Sequence, residues 1–262
     1  MRACLWCLGL PFCERPGTPR RGAHVHPMGH GLLIEGIAVK PGFILKTLIR
    51  SAAWGAVLLF SAGTAHWLSA WIYLVGRLVL DLLSSHLLHL NAPEIAAERS
   101  RGAFQKEQTI PDRVVLTIMV LLNYCSLLVV GMDKRLGWSD VPGWLQIAGA
   151  AFIVISYYTT YRVAVENKFA ASVIKIQHAR GHKVIDTGPY QYVRHPMYIG
   201  LIFRTIGTPL LLGSWWGLYP AGALIILVVV RILFEERALS TGLEGYDGYI
   251  QRVPYRLIPL VW

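Results

Sequence analysis

Four stretches of this chain, Ile44–Gly63, His66–Leu90, Val114–Gly131 and Gly143–Tyr161, each run for close to a bilayer's width with almost no charge. A helix needs about 20 apolar residues to cross the hydrocarbon core of a membrane. The runs are continuous rather than alternating, which argues against half-buried strands. A fifth apolar region, Tyr198–Arg231, is too long for one span and is cut by Gly213-Ser214-Trp215-Trp216-Gly217. It reads as a hairpin of two short helices, with Pro209 and Pro220 bending them. Only 15% of the 262 residues are charged, against about 25% in soluble domains. The expected fold is all-α: a polytopic membrane helical bundle of about five to six spans, the C-terminal hairpin included.

The formal net charge of +10 suits cytoplasmic loops of a membrane protein better than a nucleic-acid surface, and no nucleic-acid partner is expected. Place the N-terminus and the polar segment 162–197 on one side. Nineteen of the 25 Lys and Arg residues then share that side, and only Lys134 and Arg135 face the other. The positive-inside rule therefore predicts both termini in the cytoplasm, of a bacterial inner membrane or of the endoplasmic reticulum. Three regions follow: a basic, poorly structured leader over 1–42, N-terminal membrane helices over 43–164, and a C-terminal region over 165–262. In the leader, Leu5–Phe12 is too short for a signal-peptide core, and Met28 is an alternative start. Cys4, Cys7 and Cys13 lie near His24, His26 and His30, but the pair is not repeated downstream, so no metal site is expected. With Cys125 the chain has four cysteines, too few and too unevenly placed for a disulfide framework.

Charges inside the spans need partners, since each costs about 2.5–3.5 kcal/mol at a helix centre on insertion scales. Arg77 and Asp81 are four apart and are expected to pair. Lys46 and Arg50 lie near a helix end and can snorkel. Arg204 has no local partner, so it is expected to face a polar cavity, as a substrate-binding candidate.

Polar chemistry is concentrated in three C-terminal clusters. The first, GPYQYVRHPMYIG at 188–200, carries Tyr190, Tyr192, Arg194, His195 and Tyr198, and Pro196 is placed to open a helix. The second, RILFEERAL, sets Arg231 and Glu235 on one helix face, where a salt-bridged helix end is the plain structural reading. Glu236 diverges from Glu235 by about 100°. The third is GYDGYIQRVPYRLIPLVW. In this order, over roughly 165–262, the clusters resemble the isoprenylcysteine carboxyl methyltransferases and their phospholipid methyltransferase relatives.

That resemblance implies an integral-membrane methyltransferase using S-adenosyl-L-methionine (SAM) in a cytoplasmic-side pocket, acting on a lipophilic acceptor drawn from the membrane lipids' phase. It implies cofactor binding by Gln177, His182, Lys183, Val184, Ile185, Tyr190, His195, Pro196, Met197, Tyr198 and Glu235, and an acceptor side at Arg231. A carboxylate acceptor is already ionised and needs no general base, whereas an amine acceptor needs a proton removed, for which Glu236 or His195 is suited. The catalytic candidates are thus Arg231, Glu235 and Glu236. A sterol-type reductase using NADPH shares the C-terminal architecture but would carry more spans. A non-catalytic transporter or assembly factor would carry a polar stripe through several spans, or paired halves, and neither is found.

Overall fold

The computed structural model describes residues 41–102, 104–105 and 108–262. The leader, with its cysteine–histidine cluster and Met28, lies outside the described residues. Eight helices follow in order: α1 (Pro41–Ala62), α2 (Leu68–Asn91), α3 (Pro93–Ser100), α4 (Ile110–Leu136), α5 (Gly143–Glu166), α6 (Pro196–Leu212), α7 (Leu218–Gly242) and α8 (Tyr246–Arg252). No β-strand occurs among the described residues. Helices α1, α2, α4 and α7 are long and apolar enough to cross a membrane, and α6 is apolar over 17 residues. Helix α5 is 24 residues long but is made less apolar by Ser156, Tyr157, Thr159 and Thr160. The fold is an all-α, polytopic membrane bundle. Its outward faces carry exposed Phe60, Leu121, Ile147 and Ile226, side chains that lipid solvates and water does not.

Local chemistry sets the helix ends. Thr109 caps α4 by accepting from the Asp112 amide, and α4 ends at Gly137 with φ of 65°. Pro196 begins α6, as its fixed φ and missing N–H favour. The break between α6 and α7 falls at Gly213–Gly217, where the sequence placed it. Pro209 lies inside α6 near its end. Pro220 lies in the first turn of α7 rather than at a bend, because a first-turn N–H has no helical partner to lose.

Helices α5 and α6 form the closest pair, and two glycines permit it. A Cβ on Gly149 would lie 2.5 Å from the Leu211 nitrogen, and one on Gly207 would lie 2.7 Å from the Gly149 oxygen. Small residues that let backbones approach are the usual device for packing helices in lipid, where apolar burial gives little drive. The loops 63–67, 137–142 and 213–217 gather at one end. There the Asp133 carboxylate accepts from the hydroxyls of Ser139 (2.6 Å) and Ser214, and Trp138 packs on Trp216. The opposite end carries α3, the segment 167–195 and α8.

The charges within the spans pair locally, as the spacing suggests, and also across helices. Arg77 and Asp81 form a loose ion pair at 3.8 Å, and Asp81 also accepts from the Tyr157 hydroxyl at 2.7 Å and from Arg50 at 3.1 Å. Arg77 in addition stacks on Trp54, its guanidinium carbon 3.8 Å from a ring centroid. Arg50 therefore does not merely snorkel; it neutralises a carboxylate on α2.

Gly207→Ala is expected to force α5 and α6 apart and to cost about 1–3 kcal/mol, as overpacking does. Gly76→Ala in α2 meets nothing within 4 Å and should leave stability unchanged or raise it by up to about 1 kcal/mol. Thermal unfolding of the two variants in one detergent checks the contrast.

Candidate active site

The polar end of the bundle encloses a pocket whose floor is α7 and α6 and whose walls are the segments 169–176 and 182–185, with α8 at the side. The apolar turn that carries Arg231 and Glu235 enters it from below. Tyr198, two residues after the proline that opens α6, donates its hydroxyl to Glu235 at 2.7 Å. The salt-bridged helix end anticipated between Arg231 and Glu235 does not form. Arg231 pairs with Asp112 of α4 through Nε at 2.9 Å, and its Nη2 donates to the Ser172 carbonyl at 2.8 Å. Asp112 is fully buried and its other oxygen accepts from Gln108 (2.7 Å) and the Ile174 amide (3.1 Å). This network ties α4, α7 and one pocket wall together.

Glu236 faces away from the pocket. Its Oε1 accepts from Arg194 Nε at 2.7 Å and lies 3.3 Å from His195 Nε2, and its Oε2 accepts from Arg256 Nε at 2.7 Å. Arg194 also donates to the Val253 carbonyl, and the amides of Arg194 and His195 donate to the carbonyls of Tyr255 and Arg256. Glu236 is thus the point where the segment before α6, the chain after α8 and α7 are joined. Both its oxygens are occupied by cationic or histidine partners, which leaves it poorly suited to take up a proton from an acceptor.

Of the residues singled out in the sequence, His182, Lys183, Val184, Ile185, Tyr190, Arg194, His195, Met197, Tyr198, Arg231 and Glu235 line this one pocket. Gln177, Pro196 and Glu236 do not. Gln177 braces the wall from behind, donating to the Phe169 carbonyl at 2.8 Å, and Pro196 only opens α6. Tyr192 points outward and is exposed. Arg204 lies apart, on the walls of two neighbouring cavities.

The walls also hold Tyr246 and Tyr249 of the third cluster, and residues that no motif singled out: Asn167, Phe169 and the strip 170–176. Asn167 donates to the Tyr190 hydroxyl at 3.0 Å, and Tyr249 donates to the Tyr190 carbonyl at 2.8 Å. The Tyr246 hydroxyl is buried without a protein partner. Burial raises the pKa of Tyr190, Tyr246 and Tyr249 above the ordinary tyrosine value, so all three stay neutral donors. Among the described residues no three His, Cys, Asp or Glu side chains are grouped to hold a metal.

His182 stacks on Phe169 with ring centroids 4.5 Å apart, and the Gln177 amide points at its Nδ1 from 3.3 Å. An acceptor role for Nδ1 requires that nitrogen to be unprotonated. Burial pulls the His182 pKa below its ordinary value, and the nearby His178 and Arg180 add to the effect against Glu235. The pocket therefore presents one carboxylate, Glu235, neutral aromatic faces and the partnerless Tyr246 hydroxyl, together with the cations Lys175, Lys183, Arg194 and Arg231, of which Lys175, Arg194 and Arg231 are already held by Glu98, Glu236 and Asp112.

Most of the pocket lining falls within a stretch that matches a known family. Residues 144–243 match the family model described as phospholipid methyltransferase. A protein-S-isoprenylcysteine O-methyltransferase B of Arabidopsis thaliana is 29% identical over 145 residues, 52% of this chain and 68% of that protein. The protein-S-isoprenylcysteine O-methyltransferase of Schizosaccharomyces pombe is 27% identical over 124 residues, 44% of this chain and 50% of the relative. That of Saccharomyces cerevisiae is 28% identical over 92 residues, 35% of this chain and 36% of the relative. The chain thus spans from about one third to two thirds of the length of these relatives. The resemblance drawn from the C-terminal motifs holds.

A pH dependence follows from His182. Its folded pKa lies below the unfolded value, so the neutral ring is tolerated at high pH. Stability is lost as pH falls from about 6.5, the unfolded value, through the lower folded one. His182→Phe keeps the stacking and removes the titration. The wild type is expected to lose thermal stability relative to this variant between about pH 6.5 and 5. Parallel melting temperatures for the two proteins over that range are the check.

Proposed function

We propose that this protein transfers the methyl group of SAM to a lipophilic acceptor at the membrane surface. One observation carries the reading: the pocket and a second, larger chamber of about 370 Å³ among the helices share a wall made of Ala171, Ser172 and Met197. Two compartments that meet at one partition suit two substrates arriving from different phases, a soluble cofactor from the aqueous end and an apolar acceptor from within the bundle.

The donor set fits SAM. Glu235 suits ribose hydroxyls or the sulfonium charge, the Phe169–His182 pair and Tyr190 offer flat faces to a purine, and the unpaired Tyr246 hydroxyl supplies a donor. Bound there, SAM supplies an electrophilic methyl on sulfur. Transfer to a carboxylate acceptor forms one C–O bond and breaks one C–S bond, the electron pair leaving on sulfur, and no proton moves. The protein's share is alignment and exclusion of water, which are worth about 7–11 kcal/mol in favourable cases. Arg231 keeps N–H donors beyond those spent on Asp112 and Ser172, and its guanidinium lies 5.9 Å from the Tyr198 ring, so Tyr198 stands between the glutamate and the arginine. The names of the relatives support a prenylcysteine-type carboxylate; the family description supports a phospholipid headgroup. The basic bias of the loops supports a cytoplasmic position for the pocket end and both termini.

Incubation of the purified protein with methyl-labelled SAM and a membrane extract should label a hydrophobic product identifiable by mass spectrometry. Glu235→Gln removes the negative charge of the pocket's only carboxylate while leaving an amide oxygen able to accept from Tyr198. It should weaken SAM binding by about 1–3 kcal/mol in calorimetry on folded protein. Unaltered affinity would remove Glu235 from the cofactor site.

A further inference from the structure

The second chamber is unusual in its charge. Three arginines line it, Arg50 of α1, Arg99 of α3 and Arg204 of α6, against a single carboxylate, Asp81. Asp81 is already satisfied by Arg50 and the Tyr157 hydroxyl. Among the described residues neither Arg99 nor Arg204 has a carboxylate partner.

Arg99 stands at the partition itself. Its Nη2 points to the Met197 sulfur at 3.3 Å and its Nε to the Ala170 carbonyl at 3.4 Å, and both residues also line the cofactor pocket. A thioether is a weak acceptor, and a 3.4 Å contact is a long hydrogen bond. A half-buried guanidinium is therefore held beside the cofactor pocket without a strong anionic partner. Burial lowers its pKa, as expected where the charged form lacks compensation, although an arginine stays protonated. Along α6, Met197 and Arg204 are two turns apart, about 10 Å, and side chains on a helix lean toward its N-terminus. Arg99 and Arg204 both line this chamber, so the two arginines without a carboxylate partner face a common space.

We infer that this chamber receives the acidic headgroup of the acceptor, with Arg99 holding a carboxylate or phosphate against the partition and Arg204 adding positive potential behind it. The inference rests on the methyl-transfer reading for its acceptor, but the anion site can be tested without catalysis. Arg99 is an acceptor-binding residue on this account, lying outside residues 144–243 that match the family model. An acidic group on an apolar chain is the ligand class; an unsubstituted cationic amine is excluded by the chamber's net charge.

The test uses the full chain in phosphatidylcholine nanodiscs. Binding of N-acetyl-S-farnesylcysteine is compared with that of its uncharged methyl ester, and, in a separate arm, phosphatidic acid with diacylglycerol. Wild-type protein should prefer an acid over its neutral counterpart by at least tenfold. Arg99→Ala should abolish that preference, and Arg99→Lys should keep part of it, since charge remains while the planar fork is lost. Both variants should bind S-adenosylhomocysteine within about twofold of wild type, which also shows that they are folded. Where the carboxylate probe is methylated, kcat/KM should fall on the order of a hundredfold in Arg99→Ala, the usual scale for removing one partner of a buried charge pair. Preference for the farnesylcysteine acid identifies the acceptor as the source of the anion; preference for phosphatidic acid alone identifies a phospholipid headgroup. Equal binding of acid and neutral forms by wild type, or an undiminished preference in Arg99→Ala, overturns the assignment. Failure of wild type to bind S-adenosylhomocysteine would instead strike the methyl-transfer reading and leave the anion preference to be judged by itself.

Discussion

The carboxylate of Glu236 is the interaction on which the polar end of this molecule depends. It sits on α7 and is only 8% exposed. An unpaired ion in such a place costs several kcal/mol. Its three partners come from two other parts of the chain: Arg194 and His195 precede α6, and Arg256 follows α8. Glu236 is tolerated only when both segments dock on α7, and their docking is what closes the pocket. The neighbouring Glu235 then points about 100° away, toward Tyr198. Adjacent identical residues thus divide their labour, one assembling the site and the other facing its contents.

A second buried ion pair performs the same service for the opposite wall. Asp112 at the start of α4 holds Arg231 of α7, 119 positions away, and the amide of Ile174, so the strip 170–176 is pinned between the two helices. On the far side of that strip lies the arginine-rich chamber. The partition between the two compartments is therefore made of an irregular segment fixed by charge-assisted bonds, together with the first turn of α6. Lys175 continues the pattern by pairing with Glu98 of α3 at 2.6 Å, which orders the helix that also carries Arg99. Contacts with Lys175 and Arg101 hold the Glu98 pKa below its ordinary value despite burial, so the carboxylate is favoured in its ionised, paired form.

Much of this was legible in the sequence where the signal is local. Hydropathy marks the helices, Gly213–Gly217 marks the hairpin turn, and Pro196 marks the start of α6, because each depends on a few neighbouring residues. The order of the three polar clusters points to many of the residues that line the pocket, but to none of the wall 167–176. Electrostatic partners were another matter. In a helix the pairing visible in a sequence is i, i+4: it finds the loose Arg77–Asp81 pair but not the Trp54 and Arg50 contacts that these groups also make, and it fails for Arg231 and Glu235, which are taken by Asp112 and Tyr198. Arg99 and Asp112 left no signal at all, since each looks like an ordinary charge near a helix end. The strip 169–176 has no periodicity to mark it, and its role comes wholly from what it is packed between.

The central claim is that the Glu236 cluster builds a pocket for SAM. Calorimetry of S-adenosylhomocysteine and of NADPH against the wild-type protein and Glu236→Gln tests it most directly. The expected result is one-to-one binding of S-adenosylhomocysteine by wild type, none of NADPH, and a large loss of affinity in Glu236→Gln although residue 236 does not line the pocket. Binding of NADPH in place of S-adenosylhomocysteine, or full affinity in a folded Glu236→Gln protein, would contradict it.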